Sequence, residues 1–209
     1  MIDCAIKKNI YFIFFSSEFI FCGEKENYSE MDKANPNNLY GKQKYQIEQY
    51  IKRKTKNFSI LRISKTYGDK LGDDTLISNF ILQLKKGKRN FKVAIDQVFN
   101  PLYIYDLKRI VELFLKNEIK GTFNIGGPQR LSRYACIKKI IDKFNLKNKK
   151  KIYLQKTKLS NFKLPEKRPL NVSMNISKIK KIINFKLTKI ENVAKRIITK
   201  NKLNEKIFI

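Results

Sequence analysis

Apolar strand-like runs and amphipathic stretches alternate along most of this sequence, and that alternation leaves few folds open to it. Ile10–Phe15 is a near-continuous apolar run, the pattern of a strand covered on both faces of a parallel sheet. A polar loop from Cys22 to Asn38 follows. Asn37 or Asn38 then stands where a cap belongs, ahead of a helix from about Leu39 to Arg53 with Ile47 and Ile51 on one side. Phe58–Ser64 reads as the next strand. Asp73 or Asp74 can cap a helix holding Ile77, Phe80, Ile81 and Leu84, which stops near Gly87. A strand at Phe91–Ile95 precedes a helix capped by Asp106, with Leu107, Ile110, Val111 and Leu115 inward. Thr122–Ile125 is a strand closed by Gly126 and Gly127, and Ser132 opens a helix that turns Ile137, Ile140 and Ile141 inward. Strand and helix at this spacing predict βα units around a mostly parallel sheet. Beyond Asn145 the pattern loosens into a short strand at Ile152–Leu154, a polar loop through Pro169 and a helix near Ile176–Ile183. Thr188 and Glu191 there read as a capping box for a last helix, Lys189–Lys200.

Composition narrows the chemistry. There is no histidine, which removes every histidine-dependent triad and most zinc sites. Acid–base work falls to Tyr, Lys, Asp or Glu. Cys4, Cys22 and Cys136 are odd in number, scattered and without metal-ligand spacing, as expected of thiols in a reducing compartment. No apolar run approaches the roughly 18 residues that span a bilayer, and Tyr11–Phe15 is too short for a signal core, so the expectation is a soluble cytoplasmic protein with no membrane partner. The net charge of +28 invites a nucleic-acid reading. Only eight of the basic residues are arginine, and the lysines run the whole length among abundant Asn and Ile. Compositional drift accounts for that without a specific nucleic-acid site, although the field still draws in anionic substrates. The run Lys147–Lys151 reads as a solvated turn.

Tyr40 and Lys44 lie one turn apart on a predicted helix and share a face. An ammonium beside a phenol favours the phenolate, and such a Tyr passes a proton to or from a substrate oxygen. Roughly two Tyr-x-x-x-Lys matches are expected by chance in this composition. Tyr50/Lys54 and Tyr134/Lys138 repeat the spacing, so context must decide. Only the first pair follows a strand ending in Ser16-Ser17, which sets Ser17 just past the C-terminal end of a parallel strand, where ligands of open α/β sheets bind.

Phe15-Ser16-Ser17-Glu18-Phe19-Ile20-Phe21-Cys22-Gly23, then Tyr28, Glu30 and Asn35-Pro36-Asn37-Asn38-Leu39-Tyr40-Gly41-Lys42-Gln43-Lys44, resemble extended short-chain dehydrogenases, closest to the dTDP-4-dehydrorhamnose reductase-like branch. Leu61-Arg62-Ile63-Ser64-Lys65-Thr66-Tyr67-Gly68, Asn79-Phe80, Asp96–Tyr103 with Asp106-Leu107, Gly121–Gly127 and Arg168-Pro169-Leu170-Asn171 keep the family order. The resemblance implies a partial Rossmann-like parallel sheet of C-terminal strands over about residues 1–90 and 104–145. A small α/β substrate-binding lobe over about 91–103 and 146–209 would complete it. It implies reduction or epimerisation of a nucleotide-activated sugar with NADP or NAD. Ser17 would orient the carbonyl, Tyr40 would be the general acid, and Lys44 would tune Tyr40 and hold the nicotinamide ribose. Glu18, Phe99, Asn100 and Arg168 would contact substrate. Glu18 stands where the reductase branch usually has Asp, and Cys22 where a loop Asp is common.

The family's opening Gly-x-x-Gly-x-x-Gly turn does not occur here. Ile2–Lys8 resembles the end of a helix deep in the family's first half, so roughly two-fifths of a typical member would be missing. The expectation is a truncated unit that binds dinucleotide poorly alone and works with a separate N-terminal half or as a homo-oligomer. A non-catalytic regulatory or vestigial protein of the same fold is the main competing reading, and a basic nucleic-acid-binding protein is the third.

Overall fold

The structure, a computed structural model, describes residues 2–143 and 152–200. Helix α1 (Ile2–Lys7) leads into strand β1 (Phe12–Ser17), and helix α2 (Leu39–Lys54) returns the chain to β2 (Phe58–Ile63). A short strand β3 (Thr66–Tyr67), helix α3 (Leu76–Lys85) and strands β4 (Asn90–Ala94), β5 (Val98–Phe99) and β6 (Leu102–Tyr103) follow. Helix α4 (Ile104–Asn117), strands β7 (Gly121–Ile125) and β8 (Leu131–Ser132) and helix α5 (Arg133–Lys143) come next. Strand β9 (Tyr153–Thr157) and helices α6 (Ser177–Lys180) and α7 (Ile190–Lys200) complete the described chain.

The main sheet is parallel, in the order β1-β2-β7, with Phe15 opposite Leu61 and Leu61 opposite Phe123. A parallel neighbour needs a crossover, and α2 supplies it between β1 and β2. Away from this sheet, β4 pairs with β9 in parallel, β3 with β6 in parallel, and β5 with β8 antiparallel. The α/β reading therefore holds. Leu61, Ile110, Phe114, Phe123 and Ile125 form a core between the main sheet and α4. A second core gathers Phe80 of α3, Phe91 of β4, Ile137 and Ile140 of α5, and Val193 and Ile197 of α7.

Several local expectations change. β1 is paired only with β2 among the described strands, so one of its edges is open; Phe12 and Phe14 pack on one face and Ile13 on the other, each only half-buried, and Phe15 is 46% exposed. Helix α3 is preceded by Thr75, and Asp73 acts one step earlier by accepting from the Thr75 backbone N–H and hydroxyl. Asp106 is no cap, because α4 already starts at Ile104. Its carboxylate instead accepts from the Thr188 N–H and hydroxyl across the fold. That contact dissolves the expected capping box: Glu191 is taken by Lys139 and Gln129, and the Gln129 side-chain Oε1 accepts from Ile190 N. Phe114 fills the core position expected of Leu115, which is exposed. The helix near Ile176–Ile183 is only Ser177–Lys180, and β9 begins at Tyr153. Lys147–Lys151 lies outside the described residues.

Candidate active site

β1 ends in Ser16-Ser17 and β2 is followed by Ser64-Lys65, so hydroxyls and charge collect at the carboxyl end of the sheet. The start of α2 folds over that end. Asn38 caps it by accepting from Gly41 N at 2.8 Å. Gly41 lies against the backbone of Phe19, where any Cβ would collide with the Phe19 carbonyl. This close approach sets Tyr40 beside the short 3-10 turn Glu18–Ile20, with the Phe19 ring edge-on to Tyr40 at 6.2 Å. One turn on, the Lys44 ammonium sits 5.6 Å from the Tyr40 ring centroid and donates to the Phe15 carbonyl at 2.9 Å.

Another turn on, Glu48 is fully buried. It accepts from Arg62 Nη2 at 2.8 Å, Arg62 Nε at 3.1 Å and the Ser16 hydroxyl. A helix residue, a strand residue and the neighbour of Ser17 are thus tied behind the site.

Ser17, Glu18, Tyr40, Lys44, Ser64, Lys65 and Phe99 all line one cleft of about 420 Å³. Ser17 is buried and its oxygen accepts from Phe19 N at 3.2 Å, which leaves its proton to donate. Tyr40 is 47% exposed to the cleft. Glu18 is buried; desolvation pushes its carboxyl up to about 7, against the opposing pull of the Ser64 hydroxyl and Lys65. Phe99 is a buried wall.

Asn100 does not reach this cleft. Its Oδ1 accepts from Met174 N at 2.7 Å and its Nδ2 faces the Gly127 carbonyl, so its amide staples backbone to backbone. Arg168 lies elsewhere too, in an adjoining outer cavity of about 440 Å³ that also holds Arg133, Asn79 and Phe91. Lys65 lines both cavities. Burial pulls the Lys65 ammonium down to about 8, helped by the Arg133 and Arg168 charges and resisted by Glu18.

Sequence reading missed Ser64, Lys65 and Arg133. For the first two a signal existed, since they follow β2 as Ser16-Ser17 close β1. For Arg133 there was none, because only the fold brings α5 to this wall.

The family model described as the RmlD substrate binding domain matches residues 1–203. The zebrafish Danio rerio protein named methionine adenosyltransferase 2 subunit beta is 26% identical over 142 residues, covering 65% of this chain and 44% of the relative. The chain therefore spans less than half the length of that curated relative. The dTDP-4-dehydrorhamnose reductase of Yersinia enterocolitica superposes with a TM-score of 0.83 at 23% identity, over 95% of this chain and 69% of that one. The Bacillus anthracis enzyme of the same name, solved in complex with NADP, gives a TM-score of 0.79 at 22% identity, over 95% and 69%. At such identities the structural likeness carries the fold alone.

Proposed function

Since the chain belongs to the RmlD substrate binding domain family, we propose that its cleft and outer cavity together hold one nucleotide-activated sugar, the hexose against Ser17 and Tyr40 and the diphosphate toward Lys65, Arg133 and Arg168. One observation carries this reading: a serine hydroxyl, a phenol and an ammonium face a single cleft at the carboxyl end of a parallel sheet.

Ser17 donates to the sugar carbonyl or hydroxyl oxygen. Tyr40 delivers or removes the proton at that oxygen, with the Lys44 ammonium one turn away on the same helix face. The residues fit the nicotinamide end of NADP or NAD. Lys44 spends one donor on Phe15 and keeps two for a ribose, beside an exposed Tyr40 ring. Bound there, the cofactor supplies or accepts hydride at the sugar carbon. For the adenine and pyrophosphate the chain offers no glycine turn. Those contacts fall to another segment or chain, a separate N-terminal half or a second copy, whose strand would add beside β1.

Calorimetric titration with dTDP-glucose tests the binding claim, with saturable binding expected and its absence at millimolar ligand sinking the proposal. Activity is tested with NADPH and a dTDP-4-keto-6-deoxy sugar, where Tyr40→Phe should abolish any turnover while saturable dTDP-glucose binding persists. A second reading is favoured by the zebrafish relative being named a subunit: the same fold would serve as a non-catalytic regulatory partner. Under that reading Tyr40→Phe changes no sugar product.

A further inference from the structure

Lys65 is part of the wall between the two cavities and lines both. Toward the inner cleft the titratable groups are Glu18, Tyr40 and Lys44. Toward the outer cavity they are Asp74, Lys88, Lys92, Arg133 and Arg168. Arg133, Arg168 and Glu18 act directly on the Lys65 charge. Among the described residues none of Lys65, Arg133 and Arg168 closes an ion pair. Arg133 is oriented by giving its Nε–H to Gln97, which leaves its remaining donors uncommitted to any carboxylate. The nearby carboxyl, Glu18, is occupied by the Ser64 hydroxyl and the Lys65 backbone N–H. Lys65, Arg133 and Arg168 thus converge on one cavity, with Lys88 and Lys92 also on its wall, against the single carboxylate of Asp74.

Even half-buried charge is costly when it lacks a partner, and of Lys65, Arg133 and Arg168 the one that can shed it is the lysine, because a guanidinium stays protonated. We infer that the outer cavity binds a phosphate-class anion together with a proton from solvent, and that Lys65 is the residue that takes the proton up. The inference rests on the nucleotide-sugar reading only for what the anion is attached to.

The physical cycle is short. With the cavity empty, Lys65 loses its charge near pH 8. An anion beside it favours the ammonium, so affinity falls as pH rises through that value. Linkage is reciprocal, and a recharged Lys65 draws the Glu18 carboxyl in the inner cleft toward its ionised form. Occupancy of the outer cavity then sets the charge beside Ser17 and Tyr40.

Sulfate is a suitable probe because it does not titrate in this range. Its affinity for the whole chain, followed by calorimetry or backbone amide shifts, should be about fivefold or more weaker at pH 9 than at pH 7. Lys65→Arg should keep the affinity seen at pH 7 and flatten the slope; Lys65→Gln should weaken binding and flatten it too. A wild-type affinity constant within about twofold across that range, or a Lys65→Arg variant with the wild-type slope, overturns the inference. Running dTDP-glucose in parallel separates the two claims. A sulfate slope without dTDP-glucose binding sinks the nucleotide-sugar reading and supports the role of Lys65. Binding of dTDP-glucose with no pH slope does the reverse.

Discussion

Glu18 shows how one side chain can serve a site at the expense of stability. Its folded pKa, about 7, stands above the ordinary carboxyl value because burial disfavours the anion. A raised carboxyl pKa stabilises the fold below its unfolded value and loses that contribution as pH climbs through the folded one. The window therefore runs from the ordinary Glu range up to about pH 7. Glu18→Gln removes the titration, so urea unfolding should show the variant gaining on the wild type between pH 5 and pH 8, by about 1–3 kcal/mol. A difference that stays flat with pH would reject this account. Tyr40 makes the opposite case. Its ring is half exposed, so Tyr40→Phe should change unfolding free energy by no more than about 0.5 kcal/mol while removing the proposed proton transfer.

At the level of elements, α2 is held to the sheet by a polar anchor. Breaking the Glu48–Arg62 pair from one side strands a charge in the core, so Glu48→Ala should cost about 3–5 kcal/mol in chemical denaturation. The double replacement Glu48→Leu with Arg62→Met leaves only the partly exposed Lys52 without its partner and should cost clearly less. Gly41 is expected to violate the usual helix rule. Alanine for glycine inside a helix ordinarily stabilises by about 1 kcal/mol. Here the added Cβ would strike the Phe19 carbonyl, so Gly41→Ala should lower the melting temperature. The longer elements were legible in the sequence, because strand and helix periods are local, whereas the two-residue strands β3, β5, β6 and β8 are too short to show a period. Asn38, Ile51 and Ser132 took their expected places for that reason. Asp106 and Thr188 did not, because each looked like a local cap and instead bonds the other across the fold.

Across the whole molecule, the excess of positive charge is unrelieved by the few surface ion pairs, which are worth little each. Binding to DNA should therefore be diffuse: retention on a DNA column at low salt, and collapse at moderate salt with a steep slope. Retention that survives would mark a dedicated site. The candidate active site was legible where its parts lie close in sequence, as Ser17, Tyr40 and Lys44 do around one crossover. Arg168 was read from the resemblance and Lys65 carried a signal that went unread, whereas Arg133 was not legible, because no spacing links it to the others and only the fold brings it to the same cavity. Asn100 read as a substrate contact from the resemblance alone, but its side-chain amide is held by backbone groups.

Tyr40, Lys44 and Glu48 run down a single stripe of α2, the first open to the cleft and the last sealed against Arg62. Over a span of about 12 Å the helix passes from a working tip to a rooted base. Damage at the tip should silence the proposed chemistry and spare shape, whereas damage at the base should do the converse. A descendant of this chain could therefore lose the proposed reaction with a single substitution and persist, intact in outline, as a scaffold.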